Sequence, residues 1–234
     1  MSRLRSLLVV LGASLVAASG AAAITGSGVD GSAHPYVGAL VVDGSVACSG
    51  VLVAPTVFAT AAHCTAGIPA GASVAVTFDA AINKASWTLQ SGTAHTDPAY
   101  RGGSANDLAV VVLDAPAPVA PAALPRAGSV ESISGSVASV GYGYHGRGAD
   151  GTFLYDGQRR FADSPVLDVK KTTLRISTKT AGPCLGDSGG PQLRGDTVLS
   201  LTSTGAKDCS GKAESTRLDT APARAFLGGF VVLP

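Results

Sequence analysis

The sequence predicts an all-β protein, a sandwich or barrel assembled from many short strands. Glycine is abundant, 30 residues of 234, and the apolar runs are short and rich in Val, Leu and Ala. Only one segment reads as a good helix. Strand candidates recur along the chain: YVGALVV at 36–42, SVAVTF at 73–78, DLAVVVL at 107–113, GSVASVGYG at 135–143 and TVLSLTSTG at 197–205. Between the third and fourth lies DAPAPVAPAALPRAG at 114–128. Its prolines cannot donate backbone hydrogen bonds, so it reads as a linker between two β-units, one before about 115 and one from about 128 to 218. The helix is terminal, about 220–228. Asp219 or Thr220 can cap it, Pro222 sits in its first turn, and Gly228 ends it. No internal repeat is present.

The first 23 residues have the layout of a secretory signal peptide. Arg3 and Arg5 are followed by an apolar run from Leu7 to about Ala18, then by small residues in which Ala21 and Ala23 form an A-x-A site. A membrane anchor is the competing reading, but the strongly apolar part is short. Cleavage after Ala23 predicts an exported protein of residues 24–234. It removes two arginines and no acids from a chain of formal charge +1, leaving −1. Such a balance offers no basic patch for nucleic acid.

Four cysteines, Cys48, Cys64, Cys184 and Cys209, read as disulfides in an exported protein, with three possible connectivities. The sequence-local choice is Cys48–Cys64 with Cys184–Cys209. Each then closes a loop worth about 3 kcal/mol in the chain-entropy model. A zinc site lacks any C-x-x-C or H-x-x-x-H pair to support it.

The chemistry gathers around GDSGGP at 186–191. Its glycines let the backbone bend sharply and bring amide N–H groups close to a substrate carbonyl. The stretch satisfies the G-x-S-x-G elbow of α/β-hydrolases, but that fold orders its triad serine, acid, histidine, and no histidine follows Ser188. The base must come from His34, His63, His95 or His145. His63 lies in TAAHC, directly against Cys64, where a disulfide would pin its backbone. The acid best placed is Asp107, which introduces an apolar strand where a carboxylate needs a hydrogen-bond partner. Asp97 and Asp114 are rivals, in a Pro-containing loop and at a strand exit. The resulting order is His63, Asp107, Ser188.

With these residues the chain resembles the chymotrypsin-like (trypsin-like) serine proteases. The matching pieces are CSGVLVAPTVFATAAHC, HTDPAYRGGSANDLAVVVL, GYG at 141–143, CLGDSGGP and STGAKDC, and they cover essentially all of 24–234. The short spacings and the RLDTAPARAFL ending look most like the compact bacterial secreted members. The resemblance implies two antiparallel six-stranded β-barrels with a short C-terminal helix and the triad in the cleft between them. It implies a secreted serine endopeptidase, monomeric and free of cofactor or metal, acting on protein or peptide substrates. Ser188 would be the nucleophile, His63 the base and Asp107 its orienting acid. The amides of Gly186 and Ser188 would form the oxyanion hole, Ser203 would brace the acid, and Gly205 would lie on the strand that pairs with substrate.

The resemblance further implies that Gly182 floors the primary specificity pocket, where members selective for Arg or Lys carry an acid. Gly205 is then one wall and Glu214 or Ser215 the other, a neutral pocket unless Glu214 points inward. It also gives ITGS at 24–27 a role: family members become active when a new N-terminus folds inward. Its ammonium pairs with the aspartate before the nucleophile. Here these are Ile24 and Asp187, so signal cleavage after Ala23 would both release and activate the enzyme. His34, His95 and His145 are expected to be structural or superficial. GYGYHG at 141–146 matches G-x-G-x-x-G without the βαβ context of a dinucleotide site. The competing functions are a secreted esterase with the same machinery and a catalytically silent binding module.

Overall fold

The computed structural model describes residues 28–69 and 71–234. The expected leader, the cleavage site and Ile24 lie outside the described residues. Strand β1 is Gly28–Val29, followed by β2 (Val37–Val42), β3 (Ser45–Ala54), β4 (Val57–Thr60), β5 (Val74–Thr77), β6 (Gln90–Thr96) and β7 (Ala109–Leu113). Strands β2 to β7 close into a six-stranded antiparallel barrel in the order β2-β3-β4-β7-β6-β5. The β2–β3 connection shows how local sequence sets register. Asp43 and Gly44 both take positive φ, 47° and 71°, and Val42 pairs with Ser45. This is the two-residue Asp-Gly hairpin turn, whose twist matches the flanking strands.

The second barrel comprises β8 (Ser136–Gly141), β11 (Arg160–Val169), β12 (Thr173–Ser177), β13 (Pro191–Arg194), β14 (Thr197–Gly205) and β15 (Lys212–Arg217). Its order is β11-β12-β15-β14-β13-β8, closed by pairing of β8 with β11. A small hairpin, β9 (Gly146–Arg147) and β10 (Phe153–Leu154), stands beside it. Five of these strands coincide with the apolar runs named above, β14 residue for residue and the other four shortened by a residue or two at their ends. β1 does not join the first barrel as the sequence division implied. It pairs with β11, Gly28 opposite Phe161, so the chain enters on the second barrel and then crosses to the first.

The segment 114–128 contributes no strand. It runs across both barrels, Ala122 N–H donating to Leu52 C=O and Val198 N–H to Ala123 C=O. Helix α1 is Ala221–Leu227, with Thr220 at its N-cap and Pro222 in its first turn. Thr220 makes no side-chain cap bond. Asp219 is occupied elsewhere, accepting from Arg217 and from the Val130 N–H. No helix among the described residues is long and apolar enough to cross a membrane.

One apolar core runs from Leu40, Leu52 and Phe58 of the first barrel to Leu201, Leu218 and Leu227 of the second barrel and helix. Each such side chain contributes about 1.5–3 kcal/mol on burial. A polar seam accompanies it. Arg159, 1% exposed, donates to the Asp30 carboxylate and to the carbonyls of Gly31, Val37 and Phe78. The carbonyls satisfy the rest of the guanidinium, which is what makes a buried ion pair tolerable. The seam ties the entering chain to both barrels and thereby fixes the cleft between them.

Candidate active site

His63 sits in a single 3-10 turn, Ala62–Cys64, at the end of β4. The disulfide Cys48–Cys64 anchors that turn to β3. The His63 backbone N–H donates to Asp107 Oδ1 at 2.9 Å, and its Nδ1 lies 2.8 Å from Asp107 Oδ2. Asp107 is 1% exposed and the His63 side chain 34%, so the imidazole faces the cleft while its partner is dry. With Nδ1 committed to the carboxylate, Nε2 is the nitrogen left for a substrate proton. Ser203 Oγ donates to Asp107 Oδ2 at 2.5 Å. The three bonds answer the question a buried carboxylate raises, which is where its lone pairs go. Asn106, just ahead, takes φ 53° and turns the chain so that Asp107 points inward.

Ser188 lies on the loop between the second disulfide, Cys184–Cys209, and β13. Its carbonyl accepts from the Ser49 N–H of the first barrel at 2.9 Å, and Gly189 N–H donates to Thr202 C=O of the second at 2.7 Å. The loop carrying Ser188 is therefore bonded to both barrels. Gly189 has φ +77°, and a Cβ there would lie 2.1 Å from Thr60 Oγ1 and 2.6 Å from Ser49 C=O. No other residue fits that position. Gly186 takes φ +93° with Gly143 packed against it.

Asp187 is the most perturbed acid of the site. Its Oδ1 accepts from Gly143 N–H and its Oδ2 from Cys184 N–H, both at 2.8 Å. Burial outweighs these two bonds and pushes the carboxyl up to about 7. Ser49 is a support that sequence reasoning missed. Fully buried, its hydroxyl donates to Gly186 C=O and accepts from Tyr142 N–H, both at 3.0 Å. It stands in the CSG stretch beside Cys48, which was its only signal.

Beside Ser188 is a small cavity of about 120 Å³, lined by Pro183, Cys184, Leu185, Thr202 to Ala206 and Ala213. Gly182 is buried behind it, not on its surface, and a Cβ there would meet Thr178 Cγ2 at 2.7 Å. The wall facing Gly205 is Ala213, which pairs with it in register, rather than Glu214 or Ser215. Glu214 turns its carboxylate away, to Lys170 and Arg175 of the β11–β12 region. Ser215 is fully buried. A bulge in β14, between Thr202 and Thr204, sets this register; without it Gly205 would face Lys212.

The other sequence candidates fall elsewhere. His34 is held by Asp30 at 2.5 Å, His95 packs on Phe230, and His145 lies 3.8 Å from Asp156. The 97–100 turn uses Asp97 to bind Ala99 N–H. Among the described residues the one cluster with metal-ligand spacing is Cys48, His63 and Cys64. Both its sulfurs are spent in the disulfide, so it offers no thiolate.

The family model for trypsin matches residues 23–220. Human granzyme M is 30% identical over 211 residues, covering 81% of this chain and 80% of its own. Solved structures of human heparin binding protein superpose with a TM-score of 0.71 at 18% identity, covering 89% of this chain and 98% of theirs. A mutant of the same protein gives 0.68 at 20%, covering 83% and 90%. At that identity the structural likeness speaks for the fold alone, two closed barrels and a terminal helix. The sequence matches do more: with 23–220 covered, the chain belongs to the trypsin family of chymotrypsin-like serine proteases.

Proposed function

We propose that the chain is a secreted serine endopeptidase working through His63, Asp107 and Ser188. The observation that carries this reading is the double hold of Asp107 on His63, backbone and ring together. That hold fixes both the tautomer and the direction of the imidazole. Ser188 Oγ attacks the scissile carbonyl carbon while His63 Nε2 takes its proton. Asp107 stabilises the imidazolium without becoming protonated. The oxyanion settles on the amides of Gly186 and Ser188, donors worth about 3–4 kcal/mol each in such sites. His63 then returns the proton to the departing amine, the C–N bond breaks, and an ester on Ser188 remains. Water repeats the sequence and frees the acid.

The acyl-side cavity, about 120 Å³ with Ala213 facing Gly205 and Glu214 turned away, supports a small neutral side chain ahead of the cleaved bond. Export follows from the leader at 1–23. Activation by Ile24 gains support from energetics and reach. Asp187, at about 7, is a buried acid whose partners among the described residues are two backbone amides. Gly28 pairs with Phe161, and Phe161 with Val140, three residues from the Gly143 that holds Asp187. Four residues span about 13 Å, and two strand spacings about 10 Å, so an ammonium at residue 24 is within range.

A fluorophosphonate probe tests the reading. Stoichiometric labelling of Ser188, lost in Ser188→Ala, together with cleavage of internal peptide bonds, is expected. Folded protein that takes no label would eliminate catalysis and leave a binding module. Label with ester turnover but no peptide cleavage would make it an esterase.

A further inference from the structure

The turn from Ala206 to Lys212 has two faces. One helps to line the small cavity beside Ser188, through Ala206. The other, again through Ala206, borders a separate open groove of about 420 Å³. The apolar part of that groove comes from an irregularity in the sheet. β11 and β12 shift register between Val166 and Asp168, so Leu167 has no partner across the ladder and stands 50% exposed in the groove. The polar part comes from Lys179, Lys212, Ser177 and Ser210, with Ser177 opposite Lys212 in register.

The neighbouring charges are already spent. Lys170 and Arg175 share Glu214, and Arg175 also meets Asp168. Asp208, the acid of the turn, folds back to accept from the N–H and the hydroxyl of Ser210. Among the described residues neither Lys179 nor Lys212 is ion-paired. An exposed apolar side chain rimmed by charge marks a contact surface, and two unpaired cations on that rim are complementary to acids on a partner. They repel a metal ion. They are too few for a nucleic acid, whose phosphates are held by a longer row of cations.

We propose that this groove docks an acidic peptide segment of a partner protein. Two of its carboxylates pair with Lys179 and Lys212, and an adjoining apolar side chain seats on Leu167. The partner then lies against Ala206 from the face opposite the acyl-side cavity, outside the cleft of His63 and Ser188. Its binding therefore needs no turnover and stands apart from the peptidase reading.

Acetyl-Gly-Leu-Glu-Glu-Gly amide, titrated into isotopically labelled protein carrying Ser188→Ala to prevent cleavage, tests this by nuclear magnetic resonance. Saturable amide shifts are expected at Ser177, Lys179, Ala206 and Ser210 to Lys212, with His63 and Gly186 unmoved. Replacing both glutamates of the peptide by lysine should abolish them. Replacing its leucine by serine should weaken binding about fivefold, the equivalent of a half-buried side chain. Lys179→Glu with Lys212→Glu should weaken it about tenfold. Arg126→Glu with Lys171→Glu, the same change of net charge away from the groove, should weaken it about twofold or less. No saturable shift, shifts centred on His63 and Gly186, or equal weakening by the two pairs of substitutions overturns the proposal. The shift map on the unaltered groove decides the matter even if a substituted chain misfolds.

Discussion

Moving the start of the chain by one residue should reverse how stability depends on pH. Two proteins are compared, one beginning at Ile24 and one beginning at Ala23. In the second, the ammonium is displaced and Asp187 keeps the surroundings described above, with the carboxyl pushed up to about 7 against an ordinary 3.8. A folded-state value above the unfolded one contributes stability that is fully present below the unfolded value and lost as pH rises through the folded one. The gap between about 7 and 3.8 amounts to about 4 kcal/mol as an upper limit, at 1.36 kcal/mol per tenfold. For a chain of this size that is a fall of about 10 °C in Tm between pH 4 and pH 8. In the Ile24 protein the ammonium favours the ionised form, so this fall disappears and stability is gained as pH rises from about 4. Apart from the α-amino group itself, all other groups titrate alike in both proteins, so the difference between their Tm curves isolates the pair of Asp187 and the ammonium. Activity should follow, with kcat/KM about a hundredfold lower in the Ala23 protein through a disordered oxyanion loop. Superimposable Tm curves, or equal kcat/KM, would refute the pairing of Ile24 with Asp187.

Ser203→Ala removes the hydroxyl that donates to Asp107 and is expected to lower kcat about tenfold with KM little changed, a hydrogen bond to a charged group being worth about 1.5–3 kcal/mol; unchanged kcat would remove its supporting role. Gly189→Ala forces a Cβ against Thr60 and the Ser49 carbonyl at positive φ, and chemical denaturation should show a loss of at least about 3 kcal/mol. Ala213→Gly opens the acyl-side cavity, so kcat/KM for leucyl relative to alanyl ester substrates should rise about tenfold; no change would place the wall elsewhere. Replacing Cys184 and Cys209 together by Ala releases a loop of sequence separation 25 and should cost about 3 kcal/mol in the same denaturation assay.

What was legible in the sequence was local. His63 could be singled out because Cys64 adjoins it, and Asp107 because a carboxylate at the mouth of an apolar strand needs a partner. The Asp-Gly turn, the strandless 114–128 segment and the terminal helix follow from residues next to one another. The missed contributors act across long separations. Ser49 meets Gly186 and Tyr142, and Arg159 meets Asp30. No periodicity records such meetings, because each depends on how two barrels dock. The cavity wall opposite Gly205 was missed for a different reason. Cys209 and Gly211 both take positive φ in the turn between β14 and β15, and no local pattern says how many residues such a turn uses before the strand resumes, so a count from Cys209 lands one or two positions late. The membership of β1 in the second barrel was hidden similarly, since two residues carry no pattern of their own.

The stability of this protein and its proposed activity are held in different places. The core shared by the barrels contains many fully buried aliphatic side chains, each worth about 1.5–3 kcal/mol, and the Arg159 seam locks their docking. The loop at 184–190 is held by the Cys184–Cys209 disulfide and by hydrogen bonds of Asp187 to Gly143 and Cys184, of Leu185 to Tyr144, of Gly186 and Ser188 to Ser49, and of Gly189 and Gly190 to Thr202. Within that loop sits the one carboxylate whose burial costs about as much as an entire core side chain gains. On the proposed pairing with Ile24, a single cation would change the energy of the loop carrying Gly186 and Ser188 by several kcal/mol while the barrels stay folded. That separation is what the proposed switch on cleavage would require: the cut would alter one buried charge, and the loop carrying Gly186 and Ser188, whose neighbouring amides hold that carboxylate, would respond first.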